Sequence, residues 1–406
     1  MQFRLPDSFG ALRHRDFRLF WVGAFVSFVG TWIQNTGQQW LVYELTNSKQ
    51  ALGIVTFIGA APMFFLSPLG GWLADRSNKR VVLVIAQMTL ALSAFLLAGS
   101  VYFGFVSYEL IAVLAFVNGC TSVIEIPTRQ SMISDIVAEE DLANALPLSA
   151  ATFNTARILG PAVGGLLLDS FGPGACYLVN GISFSAIVFA ILAIRADLRS
   201  TSDRSASIKD ALLEGIRHVA RTPAFRTLVP MMMTTAVFGL FYIALLSAFA
   251  KSVLNVGAQG FGALLTSTGI GAVLGVLAIA TVSKRPLKGW IPIISMVGIG
   301  SSLLALSFVD SFLTAVFCLG AIGLFGVGQM VGTNTALQYF SPPELRGRVI
   351  SVHVWSLAGL SPLGALLFGW VSERVGLPLA FRIGGATVLA VGLLVLAFGR
   401  SVKSLA

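Results

Sequence analysis

The 406-residue chain is 56% hydrophobic and only 11% charged, with a mean hydropathy of +0.84. A soluble domain is about 25% charged, so this composition excludes a soluble globular protein and indicates one that crosses a membrane many times. The three cysteines all lie in apolar segments, so no disulfide framework is indicated.

Twelve apolar segments follow one another along the chain, each near the length of about 20 residues that a membrane-spanning helix needs. The first follows a basic segment and ends at no small-residue cleavage site, which predicts a retained span and not a signal peptide. The predicted fold class is therefore an all-α membrane protein with twelve transmembrane helices. The predicted helices are 18–44, 51–75, 80–103, 108–134, 142–171, 174–195, 226–251, 258–283, 288–309, 312–340, 346–373 and 378–400.

Lysine and arginine are distributed unevenly between the two membrane surfaces. Twelve spans place both termini on one side, and 21 of the 27 basic residues lie on that side. The opposite side has only Lys49, Lys251, Arg374 and Arg382. Because basic loops stay in the cytoplasm, both termini are predicted to be cytoplasmic. The formal charge of +9 is thus explained by basic residues at one membrane surface, and it does not indicate binding to nucleic acid.

The two halves of the chain resemble each other. Residues 141–165 align with residues 344–369, and Pro161 corresponds to Pro362, 201 positions later. Repetition at half the chain length indicates a duplicated bundle. Parallel repeats of six spans place the substrate path between the halves, near the middle of the membrane.

The repeat predicts two pseudo-symmetric six-helix bundles, residues 1–195 and 226–406, joined by a cytoplasmic linker, 196–225. The first part of the linker is polar and is expected to be solvated. From Ser207 to Val219 the apolar residues have helical spacing. This pattern predicts an amphipathic helix on the inner membrane surface.

Small residues recur every four positions in the fifth predicted helix. Gly160 and Gly164 leave one face nearly free of side chains, which lets another helix approach closely. The eighth predicted helix repeats this spacing at Gly271 and Gly275, so it is the expected partner. Pro161 removes a backbone N–H within the fifth helix. A bent and closely packed helix indicates a moving part.

Several segments resemble the major facilitator superfamily of transporters. GWLADRSNKR, residues 71–80, is similar to its loop between spans two and three, with Asn78 where glycine is usual; asparagine also tolerates a left-handed backbone. LRHRDFRLFW, residues 12–21, is similar to the subgroup that contains enterobactin exporters and macrolide efflux proteins. The resemblance implies the major facilitator fold, solute export and a bacterial inner (plasma) membrane. ILGPAVGG resembles the fifth-span antiporter motif, whose packing residues here are Gly160, Pro161, Gly164 and Gly165.

Charged residues gather at the cytoplasmic end of the second predicted helix. Asp75 lies beside Arg76, Lys79 and Arg80, and it is expected to accept hydrogen bonds from the positive N-terminal end of the eleventh helix, closing an inner gate. By the resemblance, Asp135 joins this cluster. The alternative is that Asp75 only neutralises neighbouring cations at the membrane surface.

Glu125 lies past the middle of the fourth predicted helix, where an ionised side chain costs about 2.5–3.5 kcal/mol. Burial favours the protonated carboxyl group, so Glu125 is a candidate proton carrier. Arg129, one turn later, and Arg157, at similar depth on the next helix, are alternative ion-pair partners that would favour the carboxylate. A structural ion pair is therefore the competing hypothesis. Ala115 stands where many antiporters of the superfamily carry arginine. The prediction of proton coupling therefore depends on the resemblance of the fifth span to the antiporter motif.

Neutral amides and aromatic rings occur on the helices expected to line a central cavity. Such a lining suits an amphiphilic organic molecule better than a phosphate or an inorganic ion. Amides also hydrogen-bond across helices, which is the alternative role for each of them. The candidate cavity residues are Gln34, Asn35, Gln38, Phe238, Phe241, Tyr242, Gln329, Asn334 and Gln338.

These patterns predict a secondary active exporter of an amphiphilic solute, such as a drug or siderophore, that works by alternating access against inward proton flow. An importer, or a lysolipid or metabolite facilitator of the same fold, is the alternative. No enzyme, cofactor or metal site is expected, because the scattered histidines and cysteines form no reactive cluster. No GxxxxGK[ST] loop indicates ATP binding. The expected partners are substrate, protons and membrane lipid, and the protein is expected to be a monomer.

Overall fold

The structure is a computed structural model that describes residues 7–196, 198, 208–282 and 289–405. Within these ranges the chain forms helices joined by short turns, without a β-strand. The helices are α1 (Arg15–Thr46), α2 (Lys49–Arg76), α3 (Lys79–Tyr102), α4 (Tyr108–Ile133), α5 (Leu142–Phe171), α6 (Pro173–Ala193), α7 (Ile208–Arg221), α8 (Phe225–Phe238), α9 (Tyr242–Ser252), α10 (Ala258–Val282), α11 (Trp290–Leu306), α12 (Phe312–Phe340), α13 (Arg346–Ala358), α14 (Ser361–Val375), α15 (Leu377–Phe398) and α16 (Arg400–Lys403).

The helices are long and apolar enough to build a multi-pass membrane protein. In the described part of the chain, ten segments have the length and hydropathy of a membrane span, with α8–α9 and α13–α14 each acting as one segment. The 30-residue α5 and the shorter apolar α11 occupy the two remaining predicted positions. The predicted all-α membrane class is confirmed.

Two of the predicted spans are interrupted. After α8 the N–H of Gly239 donates to the carbonyl of Thr235 at 2.8 Å, and the chain turns before α9 begins. Between α13 and α14 the helix restarts with Pro362 in its first turn, where the missing proline N–H needs no helical partner. A Cβ on Gly364 would lie 2.9 Å from the carbonyl carbon of Val237, so α14 packs on the end of α8.

The helices group into two contact units. Unit 1 comprises residues 1–45 and 58–204, and unit 2 comprises residues 46–57 and 205–406. The beginning of α2 therefore packs with the helices of unit 2, although the repeat predicted it within the N-terminal bundle.

Glu373 of α14 binds the first turn of α2. Its Oε2 accepts hydrogen bonds from the backbone N–H groups of Lys49 (2.7 Å) and Gln50 (3.2 Å). The first N–H groups of a helix have no partner within the helix, and the helix dipole favours an anion at this end. Gly53 and Gly369 keep the two helices close, because a Cβ on Gly369 would lie only 3.1 Å from the Cα of Gly53.

In unit 1, the glycine face of α5 packs against α1. A Cβ on Gly160 would overlap the Cβ of Trp32, and a Cβ on Gly164 would lie 3.2 Å from the Cα of Ile33. The prediction that this face meets the glycines of the eighth span is therefore wrong. Small-residue spacing correctly indicated close packing, but it could not identify the partner helix.

In unit 2, the corresponding glycines of α10 pack against α12. A Cβ on Gly271 would lie 2.7 Å from the carbonyl carbon of Gly320, and one on Gly275 would lie 3.2 Å from the Cα of Leu324. At these points the two helices touch through backbone atoms. Each glycine repeat thus builds a close helix pair inside its own unit.

A helix, α7, is present in the part of the linker where the amphipathic helix is predicted. Glu214 forms an ion pair with Arg348 near the beginning of α13. A Cβ on Gly215 would lie 3.0 Å from the carbonyl carbon of Arg348, so α7 also approaches the backbone of α13 closely. Residues 199–207 of the linker lie outside the described residues.

Candidate functional site

Glu125 lies inside unit 1 in a cluster formed by three helices. The residue is 7% exposed. Its Oε1 accepts a hydrogen bond from Nε2 of Gln87, on α3, at 3.1 Å, and lies 2.8 Å from Nε of Arg129, one turn along α4. Among the described residues, Arg129 Nε has no hydrogen-bond partner at a favourable angle, so its contact with Glu125 is an ionic attraction. The cluster therefore combines one buried anion, one cation and one neutral amide.

Arg129 has a second partner on α1. Its guanidinium carbon lies 4.4 Å from the centre of the Phe28 ring, a cation–π distance. The Arg129 side chain is 20% exposed, more than the Glu125 side chain at 9%. The cation thus lies between the carboxylate and an aromatic face.

Arg157 was the alternative partner of Glu125, but no ion pair joins these two residues. Arg157 is half-buried on α5. The one-turn spacing on α4 places Arg129, and not Arg157, beside the carboxylate.

The structure describes part of the predicted charge cluster, at the beginning of α3. Nζ of Lys79 lies 2.6 Å from Oδ2 of Asp135, so Asp135 joins the cluster as the resemblance implied. Arg80 donates through Nη2 to the carbonyl of Ile194, at 2.6 Å. The side chain of Asp75 lies outside the described residues. Arg76 is exposed at the end of α2.

Asn78 has a capping role. Its Oδ1 accepts from the N–H groups of Arg80 (3.1 Å) and Val81 (3.3 Å), at the N-terminus of α3. Its φ of −67° is not left-handed, so the expected reason for asparagine at this position is wrong. An N-cap asparagine satisfies helix N–H groups that otherwise lack partners.

The predicted cavity amides of unit 1 have different environments. Gln34 is 6% exposed, and its Oε1 accepts from Nδ2 of Asn180 on α6 at 2.7 Å. Gln34 thus has the alternative role of joining two helices, and it is removed from the candidate cavity. Asn35 is exposed and Gln38 is half-buried. These two amides remain candidates for contact with a substrate.

The predicted aromatic residues of unit 2 belong mainly to its core. Phe241 and Tyr242 are 1% and 2% exposed. Phe241 stacks on Phe368 with ring centres 3.8 Å apart, and half-buried Phe238 contacts the same ring at 5.7 Å. The prediction of a cavity lining is therefore wrong for Phe241 and Tyr242. Aromatic residues fill the interior where α8, α9 and α14 meet.

The three predicted cavity amides of α12 also differ in burial and in hydrogen bonding. Gln329 is 1% exposed, and neither atom of its amide has a hydrogen-bond partner among the described residues. It therefore lies in the interior of unit 2 and, like Gln34, is removed from the candidate cavity. Asn334 and Gln338, one turn apart, hydrogen-bond to each other. Gln338 is exposed and Asn334 is half-buried, so this amide pair remains a candidate for contact with a substrate.

Sequence reasoning missed two residues of these clusters, Gln87 and Phe28. The stretch from Val81 to Leu92 is apolar except for Gln87 and Thr89, and Gln87 has the longer polar side chain. A polar residue at membrane depth is a signal that could have identified it. Phe28 gave no comparable signal, because the first span contains several aromatic residues.

Comparisons with known proteins agree with the membrane architecture. The sequence profile of a family described as "Transmembrane secretion effector" matches residues 7–403. The chain is 23% identical over 394 residues to the staphyloferrin A transporter of Staphylococcus aureus, covering 95% of this chain and 97% of that protein. It is 27% identical to the multidrug efflux pump Tap of Mycolicibacterium fortuitum (87% and 88% covered) and 21% identical to the enterobactin exporter EntS of Shigella flexneri (94% and 91%).

Solved structures of transporters share the fold. The nucleoside transporter NupG superposes with a TM-score of 0.76 at 13% identity, covering 95% of this chain and 99% of that one. A bacterial homologue of the human lysosomal transporter Spinster superposes with a TM-score of 0.72 at 17% identity, with 96% of each chain covered. The family match across nearly the whole chain establishes a membrane transporter and not an enzyme. The chain belongs to the transmembrane secretion effector family of the major facilitator superfamily.

Proposed function

We propose that the protein exports an amphiphilic organic solute from the cytoplasm in exchange for protons, by alternating access. The names of two relatives, a multidrug efflux pump and an enterobactin exporter, support export. These two names and that of the staphyloferrin A transporter support the substrate class. The basic residues on one membrane surface support a cytoplasmic location of both termini in the bacterial inner membrane.

The observation that carries the proposal is the buried carboxylate of Glu125 with its ionic partner Arg129. Proton binding neutralises the carboxylate of Glu125 and so removes its attraction for the guanidinium of Arg129. A buried charge that loses its partner is costly, so Arg129 is expected to move while keeping its contact with Phe28. Binding of a proton and displacement of the arginine are thus linked, as proton exchange requires.

Four amides are the proposed contacts for the substrate: Asn35 and Gln38 of α1, and Asn334 and Gln338 of α12. Neutral amides offer both donors and acceptors without selecting one sign of charge. This chemistry suits siderophores, macrolides and other amphiphiles that carry many polar groups on an apolar frame. The closing of an inner gate by Asp75, predicted from the sequence, remains part of the proposal.

A proteoliposome flux assay tests the function. Purified protein is reconstituted, a pH gradient is imposed, and uptake or release of a panel of siderophores, macrolides and lysolipids is measured. We expect Glu125→Gln to abolish gradient-driven flux while substrate binding remains measurable. Glu109→Gln, at the exposed start of α4, is the matched control and should retain flux. Flux that ignores the gradient would reject antiport and favour a facilitator.

A further inference from the structure

Proton exchange at Glu125 requires a neighbour that can serve both forms of the carboxyl group. The ionised carboxylate only accepts hydrogen bonds, whereas the protonated group also has an O–H to donate. Arg129 can only donate, so it cannot accept a hydrogen bond from the O–H of the protonated form. A buried O–H without an acceptor is an unsatisfied polar group, which destabilises the protonated form.

Gln87 has the chemistry that both forms need. A side-chain amide contains an NH₂ group that donates and a carbonyl oxygen that accepts. Gln87 is 3% exposed, and its Nε2 lies 3.1 Å from Oε1 of Glu125. Its Oε1 is buried and has no hydrogen-bond partner among the described residues. A half-turn about the last side-chain bond exchanges these two amide atoms, so the oxygen then faces the carboxyl group.

Charged groups other than Arg129 do not replace this function. The helices α1, α2 and α3 carry charged side chains only near their ends, and α6 carries none. Within α5, Arg157 forms no ion pair with Glu125, and Asp169 lies near the end of the helix. The neutral amide of Gln87 is therefore the hydrogen-bonding partner that a neighbouring helix supplies.

We propose that Gln87 is the positioning residue of the proton-exchange site. Its amide nitrogen donates a hydrogen bond to the carboxylate of Glu125. Its amide oxygen accepts a hydrogen bond from the O–H of the protonated carboxyl group, so the amide turns over once in each direction per cycle. This role rests on the proposed proton exchange at Glu125. It adds a residue whose chemistry is neutral and whose two orientations correspond to the two protonation states.

Infrared difference spectroscopy between acidic and alkaline pH measures the carboxyl group directly, in the full-length protein reconstituted in lipid. Glu125→Gln identifies the band by removing it. Gln87→Met keeps the length of the side chain without a hydrogen bond. This variant removes the hydrogen bond to each form of the carboxyl group, and the bond to the ionised form is roughly twice as strong as the bond to the neutral form. We therefore expect the protonation midpoint of the band to move upward by about one pH unit. The pH profile of transport should shift in the same direction.

Gln329→Met is the matched control, because it makes the same substitution at an equally buried glutamine of unit 2. It should leave the midpoint of the Glu125 band unchanged. A second measurement uses wild-type protein with isotope-labelled glutamine side chains, and so does not depend on the folding of a variant. There the amide carbonyl band of one glutamine should shift together with the carboxyl band.

The outcomes separate the two proposals. An unchanged midpoint in Gln87→Met, or a Glu125 band that titrates without any glutamine amide shift, would reject the role of Gln87 and leave proton exchange standing. The absence of any titrating band that Glu125→Gln removes would overturn both proposals. A shifted midpoint in Gln87→Met and an unshifted one in Gln329→Met would support the assignment.

Discussion

Replacing Gly271 with alanine tests whether α10 and α12 are held together by direct backbone contact. The added Cβ would lie 2.7 Å from the carbonyl carbon of Gly320 and 3.0 Å from its Cα. Carbon atoms prefer separations of about 3.5–4.0 Å, so the helices must move apart by about 1 Å. The opposing atoms are backbone, and no side chain can turn away. Overpacking of this kind costs about 1–3 kcal/mol.

Gly326→Ala in α12 is the matched control, because no atom lies within 4 Å of the Cβ that it adds. Both substitutions gain about 0.5–1 kcal/mol of helix propensity, which cancels when the two variants are compared. The free energy of unfolding should therefore be lower in Gly271→Ala by about 1–3 kcal/mol. Thermal unfolding of both purified proteins in one detergent measures this difference. Equal stability of the two variants would refute the backbone contact.

Three further substitutions test contacts of the two units. Asn180→Leu leaves the buried Oε1 of Gln34 without its donor, and the free energy of unfolding should fall by about 1–3 kcal/mol; unchanged stability with weakened substrate binding would instead return Gln34 to the cavity. Asp135→Asn should destabilise the protein by a similar amount, about 1–3 kcal/mol, because Lys79 loses its anionic partner. A double-mutant cycle with Lys79→Gln measures their coupling, and additive losses would contradict a direct interaction. Glu373→Ala should accelerate hydrogen exchange roughly fivefold at the first amides of α2, as for loss of a helix cap; an unaltered exchange rate would exclude the capping role.

Helix positions could be predicted from the sequence because a membrane span demands a long apolar segment. The predicted helices 108–134 and 312–340 correspond closely to α4 and α12. The interruptions after Phe238 and Ala358 could not be predicted, since glycine is common inside membrane helices and hydropathy stays high across both breaks.

Contacts between helices were less predictable than the helices themselves. The spacing of Gly160 and Gly164 indicates a close neighbour, but the neighbour is α1, which contacts these glycines at Trp32 and Ile33 and does not repeat their spacing. Arg129 lies beside Glu125 because the two are one turn apart on α4, whereas the contact of Gln87 with Glu125 depends on how α3 packs against α4. Periodicity along one helix contains no information about which surface of another helix it meets.

The capping of α2 by Glu373 has a consequence for biosynthesis. The carboxylate and the N–H of Lys49 are 324 positions apart in the chain. During translation the first turn of α2 therefore lacks this cap until Glu373, near the end of the polypeptide, has been inserted. A C-terminal fragment made alone would lack residues 46–57 of its own unit. Docking of α2 onto α14 is thus expected among the last steps of maturation, because contacts of such long sequence separation form slowly.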